Sequence, residues 1–195
     1  MHQSTIIVIF AGLFPLLATS AKFPAQFPTK LERYWWRKGF WRQPSKTTNP
    51  LEAGMDLVKM PFKICRSVNY KGESIPGKFL DGANICYIGF NGSEIRLSNP
   101  NEYQLLDTDK TSHFEWIPSR NGDIANGAVI GGISKNFEVY FICTAAHLEK
   151  GKTVILIGKL QPSEGACFVA FHGKEFFYES YNVLRDSRYA VKFQD

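Results

Sequence analysis

Apolar and polar residues alternate with a period of two along several short segments of the chain. Cys86, Ile88 and Phe90 fall on one face of residues 85–90, and residues 166–171 repeat that pattern. Because successive side chains point to opposite faces of a strand, this spacing predicts β-strands. No segment of useful length shows the helical period, so the predicted fold class is all-β.

Glycine-containing turns separate the predicted strands. Asn91-Gly92 and His172-Gly173 each follow one of these strands directly, which is typical of a hairpin. Asn-Gly is the stronger of the two signals, because both residues tolerate the positive φ of a tight type I′ turn. Residues 94–97 and 175–178 are therefore expected to form the return strands.

The strand pattern occurs twice, as two copies of a repeat of roughly 80 residues. The copies are offset by 78 residues at Cys65 and Cys143, by 81 through the middle, and by 78 again at Tyr103 and Tyr181. The length changes fall between the recurring blocks, where loops absorb insertions. We expect a first repeat over residues 51–107 and a second over 108–195.

The N-terminus has the composition of a secretory signal peptide. An apolar run from Ile6 to Leu17 precedes the small residues 18–21, and it is shorter than the roughly 20 residues of a bilayer span. We predict a signal peptide over residues 1–20 and a secreted, extracellular mature chain. The alternative, an uncleaved membrane anchor, is disfavoured by this length and by Pro15.

Residues 21–50 carry four prolines and a basic aromatic stretch, and they are expected to form an irregular N-terminal extension. Two interpretations of this stretch remain open. The cations and aromatic rings of residues 30–42 could contact a membrane surface or a polyanionic glycan. Alternatively, the tryptophans cover an apolar face of the following domain, which we favour because large exposed aromatic patches are uncommon.

Charge and motifs argue against several classes of protein. With 23 Lys and Arg against 18 Asp and Glu, the net charge of +5 is modest, and together with secretion it makes nucleic acid a poor partner. The chain has no nucleophile elbow, paired-carboxylate motif or phosphate loop, and no spacing of histidines and cysteines typical of zinc. We therefore predict no enzymatic activity, no cofactor and no metal site.

Four cysteines in a secreted chain favour two disulfides, for which sequence alone allows three pairings. The repeat favours Cys65–Cys86 and Cys143–Cys167, because these pairs occupy the same blocks in the two copies. Each bridge would contribute about 3 kcal/mol. Buried free thiols are the alternative, since all four cysteines lie among apolar residues.

One sequence motif predicts a covalent modification. Asn91-Gly92-Ser93 matches the acceptor pattern for N-glycosylation, and it lies at a predicted hairpin tip. We predict that Asn91 is an accessible glycosylation site in the secreted chain.

Short motifs that indicate a family are distributed over the two copies. They are Gly54-Met55-Asp56, Ile64-Cys65-Arg66-Ser67, Pro76-Gly77-Lys78, Gly92-Ser93-Glu94, Trp116-Ile117-Pro118, Asn126-Gly127-Ala128-Val129-Ile130-Gly131-Gly132, Gly158-Lys159, Gly173-Lys174-Glu175 and the closing Tyr181-Asn182-Val183-Leu184. Through them residues 53–190 resemble the DM-nine repeat family. The resemblance implies tandem antiparallel β repeats related by a pseudo-twofold axis.

The same resemblance implies a sugar site, because some secreted invertebrate members act as mannose-binding lectins in pathogen recognition. In such members an acidic residue after the Gly-Gly turn and the lysine of Pro-Gly-Lys hold sugar hydroxyls. These positions correspond to Asp56 and Lys78 in the first repeat, and to Ser134 and Lys159 in the second. Because Ser134 replaces the acid, we expect the better site around Asp56 and Lys78.

A carboxylate and an ammonium can together bind a neutral sugar, because the carboxylate accepts from vicinal hydroxyls while the ammonium donates to their oxygens. The alternative for Lys78 and Lys159 is a structural role in which each lysine pairs with a local carboxylate.

The leading hypothesis is a secreted carbohydrate-binding protein that recognises mannose-type glycans and serves innate immunity. The alternative is a non-catalytic secreted scaffold for structure or protein interaction. Oligomer formation is left open.

Overall fold

The computed structural model describes residues 41–108 and 113–189, and within them the chain is all-β, as predicted. The expected signal peptide, residues 1–20, and residues 30–40 of the basic aromatic stretch lie outside the described residues. Within the described ranges, no helix has the length and apolar character to cross a bilayer.

The first half of the fold contains seven of the strands in the described ranges. They are β1 Trp41–Arg42, β2 Glu52–Ala53, β3 Phe62–Ser67, β4 Pro76–Leu80, β5 Ile85–Phe90, β6 Ser93–Leu97 and β7 Tyr103–Leu106. The second half contains β8 Phe114–Arg120, β9 Ile130–Ile133, β10 Val139–Glu149, β11 Lys152–Gln161, β12 Ala166–Phe171, β13 Lys174–Tyr178 and β14 Ser180–Asp186. Short 3-10 turns lie at Pro44–Lys46, Asp81–Ala83, Pro162–Glu164 and Ser187–Tyr189.

All neighbouring strands in these ranges are antiparallel, and their order is symmetric. The order is β1-β7-β3-β4-β5-β6-β13-β12-β11-β10-β14-β8, with β2 beside β3 and β9 beside β10. Counted outward from the middle, strands at the same place in the two halves are therefore equivalent in the repeat. β6 and β13 meet at the centre, where Ser93 lies opposite Lys174. The tandem antiparallel repeats with pseudo-twofold symmetry are confirmed.

The first repeat begins at β1 and not at residue 51. Trp41 pairs with Leu106 of β7 in the same way that Trp116 of β8 pairs with Leu184 of β14. A strand of two residues is too short to show a period of two, so the sequence pattern placed it in the N-terminal extension. Residues 41–50 therefore belong structurally to the first repeat.

Arg66 and Trp41 fasten β1 to the sheet. The Arg66 guanidinium lies 4.4 Å from the centre of the Trp41 ring and donates two hydrogen bonds to Gln104 Oε1, at 3.0 and 2.8 Å. Burial lowers the pKa of Arg66 to about 10. Trp41 thus packs on the Arg66 guanidinium, while Trp35 and Trp36 of the aromatic stretch lie outside the described residues.

The two disulfides are Cys65–Cys86 and Cys143–Cys167, which confirms the pairing favoured by the repeat. The first links β3 and β5 on either side of β4, and the second links β10 and β12 on either side of β11. All four cysteines are fully buried in the apolar core.

Two equivalent glycines allow close approach of the two repeats. Met55 forms an isolated bridge with Ile155 of the second repeat, and Ile133 forms one with Ser74 of the first. A methyl group at Gly54, the neighbour of Met55, would overlap the carbonyl oxygen of Ile155. The first repeat thus pairs with the β10–β11 hairpin of the second, and the second pairs with the β3–β4 hairpin of the first.

Candidate functional site

Lys78 and Lys159 occupy equivalent positions on β4 and β11, and both are almost completely buried. Each forms an ion pair with a glutamate of its own repeat. Lys78 Nζ lies 2.7 Å from Glu94 Oε1, and Lys159 Nζ lies 3.0 Å from Glu175 Oε1. The structure therefore shows the local carboxylate partners that the structural alternative for these lysines required.

Both lysines also donate a hydrogen bond to the other repeat. Lys78 Nζ donates to the carbonyl oxygen of Ala170 on β12, and Lys159 Nζ donates to that of Gly89 on β5, at 3.2 Å. A buried ammonium with carboxylate and carbonyl partners is well satisfied. The two lysines consequently tie the repeats together in a reciprocal way.

The glutamates complete the same exchange. Glu94 Oε2 accepts from the amide of Gly173, and Glu175 Oε2 accepts from the amide of Gly92, both at 2.8 Å. These glycines lie at the tips of the β12–β13 and β5–β6 hairpins. Each Lys–Glu pair thus fixes a hairpin tip of the opposite repeat.

Aromatic rings surround both ammonium groups. Lys78 Nζ lies 5.3 Å from the ring centre of Tyr87 and 5.4 Å from that of Phe171. Lys159 Nζ lies 5.3 Å from the ring centre of Phe168. Burial lowers the pKa of Lys78, and the neighbouring carboxylate of Glu94 acts in the opposite direction. Ring faces of this kind stabilise a buried cation.

Asp56 and Ser134 play the same structural role in their turns. Asp56 Oδ1 accepts hydrogen bonds from the amides of Val58 and Met60, at 2.9 and 2.8 Å. Ser134 Oγ accepts from the amides two and four positions ahead, at 3.2 and 2.9 Å. The serine therefore replaces the acid as a turn acceptor. Among the described residues, neither a hydrogen bond nor an ion pair joins Asp56 to Lys78.

Ser134 and Lys159 line the same cleft, which holds about 420 Å³. We call it the Lys159 cleft and define it by Glu73, Phe90, Asn91, Gly92, Ser134, Asn136, Glu138, Tyr140, Lys159, Gln161, Glu164, Phe168 and Glu175. Both repeats contribute to it. Its lining contains four glutamates and one lysine, so its formal charge is negative.

The floor of the Lys159 cleft consists of buried polar groups. Tyr140 Oη donates to Glu73 Oε2 at 3.0 Å. Burial raises the pKa of Tyr140, and the hydrogen bond to Glu73 raises it further. Glu175 Oε1 is buried and, within the described residues, forms no aligned hydrogen bond although Lys159 Nζ lies close to it. The floor thus contains a buried carboxylate oxygen that lies beside the Lys159 ammonium.

The walls add further acceptors, donors and an aromatic face. Glu138 accepts from Gln161 Nε2 at 3.1 Å and from the amide of Ser163 at 2.9 Å, so its carboxylate is held in place. Phe90 and Phe168 are only partly buried and line the same space. A concave site with fixed polar groups and exposed rings suits a small ligand rich in hydroxyl groups.

Ser134 and Lys159 were predicted as site residues from the sequence, whereas the glutamates and the tyrosine of this cleft were not. Glu94 and Glu175 recur at the same offset as the lysines, so the repeat contained a signal for that pair. Glu73 and Tyr140 carry no such signal. In the opposite repeat, Val154 occupies the position equivalent to Glu73, and Phe62 occupies the position equivalent to Tyr140. Only the fold brings them to the cleft.

Asn91 lies on the rim of the Lys159 cleft. It is exposed and has a φ of 49°, and Gly92 follows with a φ of 78°, as the predicted Asn-Gly hairpin turn requires. The predicted N-glycosylation at Asn91 stays a prediction.

Comparison with known proteins agrees with the resemblance seen in the motifs. The search of curated proteins finds no match for the chain. The profile of the DM9 repeat, the DM-nine repeat of the sequence analysis, matches residues 56–178, which is more than half of the chain. The matched region runs from the Asp56 turn through both lysines to the end of β13. The chain therefore belongs to the DM9 repeat family.

Proposed function

We propose that this protein is a secreted carbohydrate-binding protein whose principal site is the Lys159 cleft, with mannose-type glycans as its ligands and innate immunity as its setting. The observation that carries the proposal is the combination of buried carboxylates with partly exposed rings in one cleft. Membership of the DM9 repeat family and two disulfides, which are typical of extracellular proteins, support it.

The chemistry of the cleft suits a neutral sugar. Vicinal sugar hydroxyls can donate to the carboxylate of Glu138, which lines the cleft and is partly exposed. Asn136 on the rim supplies an amide that both donates and accepts. The apolar face of a pyranose ring can pack on Phe168.

This proposal moves the expected site from the first repeat to the second. The sequence favoured Asp56 and Lys78 because Ser134 lacks an acidic group. In the structure the acceptors of the Lys159 cleft come from other residues, so the loss of an acid at position 134 does not remove them. At the positions equivalent to Glu138 and Gln161, the first repeat has the apolar residues Met60 and Leu80.

Glycan binding by the purified chain tests the proposal. Wild-type protein is applied to a glycan array and then titrated with methyl α-mannoside and mannan in a calorimeter. The variant Asn136→Val with Glu164→Ala changes two exposed rim residues to those at the equivalent positions, Val58 and Ala83. We expect its affinity to fall about tenfold or more, because hydrogen bonds to the ligand are lost.

The matched control is Glu179→Ala, which removes one exposed carboxylate on the β13–β14 turn, outside the cleft lining. Its affinity should equal that of the wild type. Unchanged affinity in the double variant would place the sugar elsewhere. A wild-type chain that binds no glycan on the array would overturn the carbohydrate function.

The second candidate is a non-catalytic interaction scaffold, and the exposed apolar turn after Asp56 favours it. Val58 is 74% and Met60 is 59% exposed. In that case the wild type binds no glycan but self-associates in sedimentation experiments. Val58→Asn with Met60→Glu, which installs the residue types of the second repeat, would then abolish the association.

A further inference from the structure

The hairpin that carries the glycosylation motif also forms the rim of the Lys159 cleft. Asn91 and Gly92 line the cleft, and Asn91 is exposed. Deeper in the same cleft, Lys159 and Ser134 are buried. Any group attached to Asn91 therefore begins at the mouth of the cleft.

The position of this hairpin tip is fixed relative to the floor. The amide of Gly92 donates to Glu175 Oε2 at 2.8 Å, and Lys159 Nζ donates to the carbonyl of Gly89 two residues before the turn. Both bonds cross from one repeat to the other. Because they hold the tip against the floor, a glycan on Asn91 cannot move away from the mouth by a hinge motion of the hairpin.

The equivalent hairpin of the second repeat lacks the motif. Its tip is His172-Gly173-Lys174, and the amide of Gly173 makes the same bond to Glu94. The two tips thus have the same structure, but an oligosaccharyltransferase can modify only one of them. Glycosylation at Asn91 would restrict access to the surface of one half only. The two halves would then differ in accessibility as well as in side chains.

We propose that an N-linked glycan on Asn91 caps the Lys159 cleft and lowers its affinity for external glycans. This inference rests on the proposed function of the cleft. A glycan tethered at the rim is present at an effective concentration of the order of millimolar. It therefore displaces free sugars that bind with dissociation constants in that range.

The test compares glycosylated and unglycosylated protein. Wild-type chain is produced in a eukaryotic secretory host, and intact mass and peptide mapping measure the occupancy of Asn91. Ser93→Ala removes the motif but keeps Asn91 in the rim, and Ser93 itself does not line the cleft. We expect Ser93→Ala to bind mannan about tenfold more tightly than the glycosylated wild type.

The matched control for the substitution is Ser98→Ala, an exposed serine in the loop after β6 that belongs to no glycosylation motif. It should bind as weakly as the glycosylated wild type. An unoccupied Asn91 overturns the cap, and so does equal mannan affinity of Ser93→Ala and the fully glycosylated chain. If Ser93→Ala itself binds no glycan, the proposed function of the cleft fails instead, and the cap fails with it.

A transplanted motif separates capping from a general effect of added sugar. In the Ser93→Ala background, His172→Asn with Lys174→Ser moves the motif to the equivalent hairpin tip. We expect this variant to be glycosylated and to keep the high mannan affinity of Ser93→Ala. A tenfold loss of affinity from a glycan at this second tip, whose residues do not line the cleft, would show a general effect and overturn the cap.

Discussion

The Lys78 half and the Lys159 half of the molecule share one framework but differ in the surfaces around it. In both halves the buried lysine pairs with a glutamate and donates to a carbonyl of the opposite repeat. Around Lys159 the neighbouring positions are polar, with Glu138 and Gln161 in the cleft. The residues equivalent to those two in the first repeat are apolar.

The difference separates the residues that hold the repeats together from those that only shape the Lys159 cleft. The lysine and glutamate contacts that cross the repeat boundary are the same in both halves, whereas the Tyr140–Glu73 bond has no counterpart because Phe62 and Val154 occupy the equivalent positions. Residues that line the Lys159 cleft but make no such contact differ from their equivalents in the first repeat. The repeated lysines are therefore poor markers of ligand specificity, and Asn136, Glu138 and Glu164 are better ones.

The glycines beside the two lysines should show the largest and most symmetric effect. A methyl group at Gly77 or Gly158 would overlap the carbonyl oxygen of Tyr87 or Phe168. We expect Gly77→Ala and Gly158→Ala each to lose about 5 kcal/mol or the folded state entirely, measured as soluble yield and urea unfolding. Gly82→Ala, where the added methyl meets open space, is the control. A well-folded Gly158→Ala protein would break the equivalence of the halves.

Removal of either buried ammonium should be almost as severe. Lys78→Met and Lys159→Met leave a buried carboxylate without its partner, and we expect each to lower the free energy of unfolding by about 3 kcal/mol. Lys63→Met is the control, because Lys63 pairs with the largely exposed Asp81 and should cost less than about 1 kcal/mol.

A second substitution sharpens the prediction for the lysines. Adding Glu175→Gln to Lys159→Met removes the unpaired charge, so chemical unfolding should show that part of the lost stability returns. If Lys159→Met is no more damaging than Lys63→Met, the crossing ion pair does not hold the repeats together.

The turns at Asp56 and Ser134 should be nearly interchangeable. Both side chains accept two backbone amides, so Asp56→Ser should change the free energy of unfolding by less than about 0.5 kcal/mol, while Ser134→Ala should cost about 1 kcal/mol. Thermal unfolding measures both. Equal stability of Ser134→Ala and the wild type would argue against a structural role for this side chain.

The smallest expected effect distinguishes the halves by pH. The pKa of Tyr140 is raised in the folded state, so its contribution to stability is present below about pH 10 and is lost as the pH rises through the folded pKa. Tyr140→Phe, which installs the residue type of Phe62, should not lose stability in this way because phenylalanine does not ionise. The stability of wild type relative to Tyr140→Phe should therefore fall in urea unfolding as the pH rises above about 10. A constant difference would contradict the raised pKa.

Much of the fold could be predicted from the sequence because its signals are local or occur twice. The Asn91-Gly92 hairpin follows from the conformations of two neighbouring residues. The pairing Cys65–Cys86 follows from its copy in the second repeat. The start of the first repeat at Trp41 could not be predicted, because its strand has two residues and no alternation.

The candidate site was predictable only in part. Ser134 and Lys159 were found from the motifs, and both line the cleft. Glu73 and Glu175 were not among the predicted site residues. A carboxylate in a strand has the same local pattern whether it faces solvent, an ammonium or a ligand, so the sequence does not distinguish these environments.

The sequence by itself therefore determined the strands, the duplication and the disulfide pairs of this protein, since each depends on residues close together or on a pattern written twice. Only the tertiary structure decided that each lysine bonds to the opposite repeat and that residues of both repeats share one cleft. The physical reason is that a hydrogen bond or ion pair forms between any suitable groups that the fold brings together, whatever their separation in the sequence. Which glutamate meets which lysine depends on how the two repeats pack.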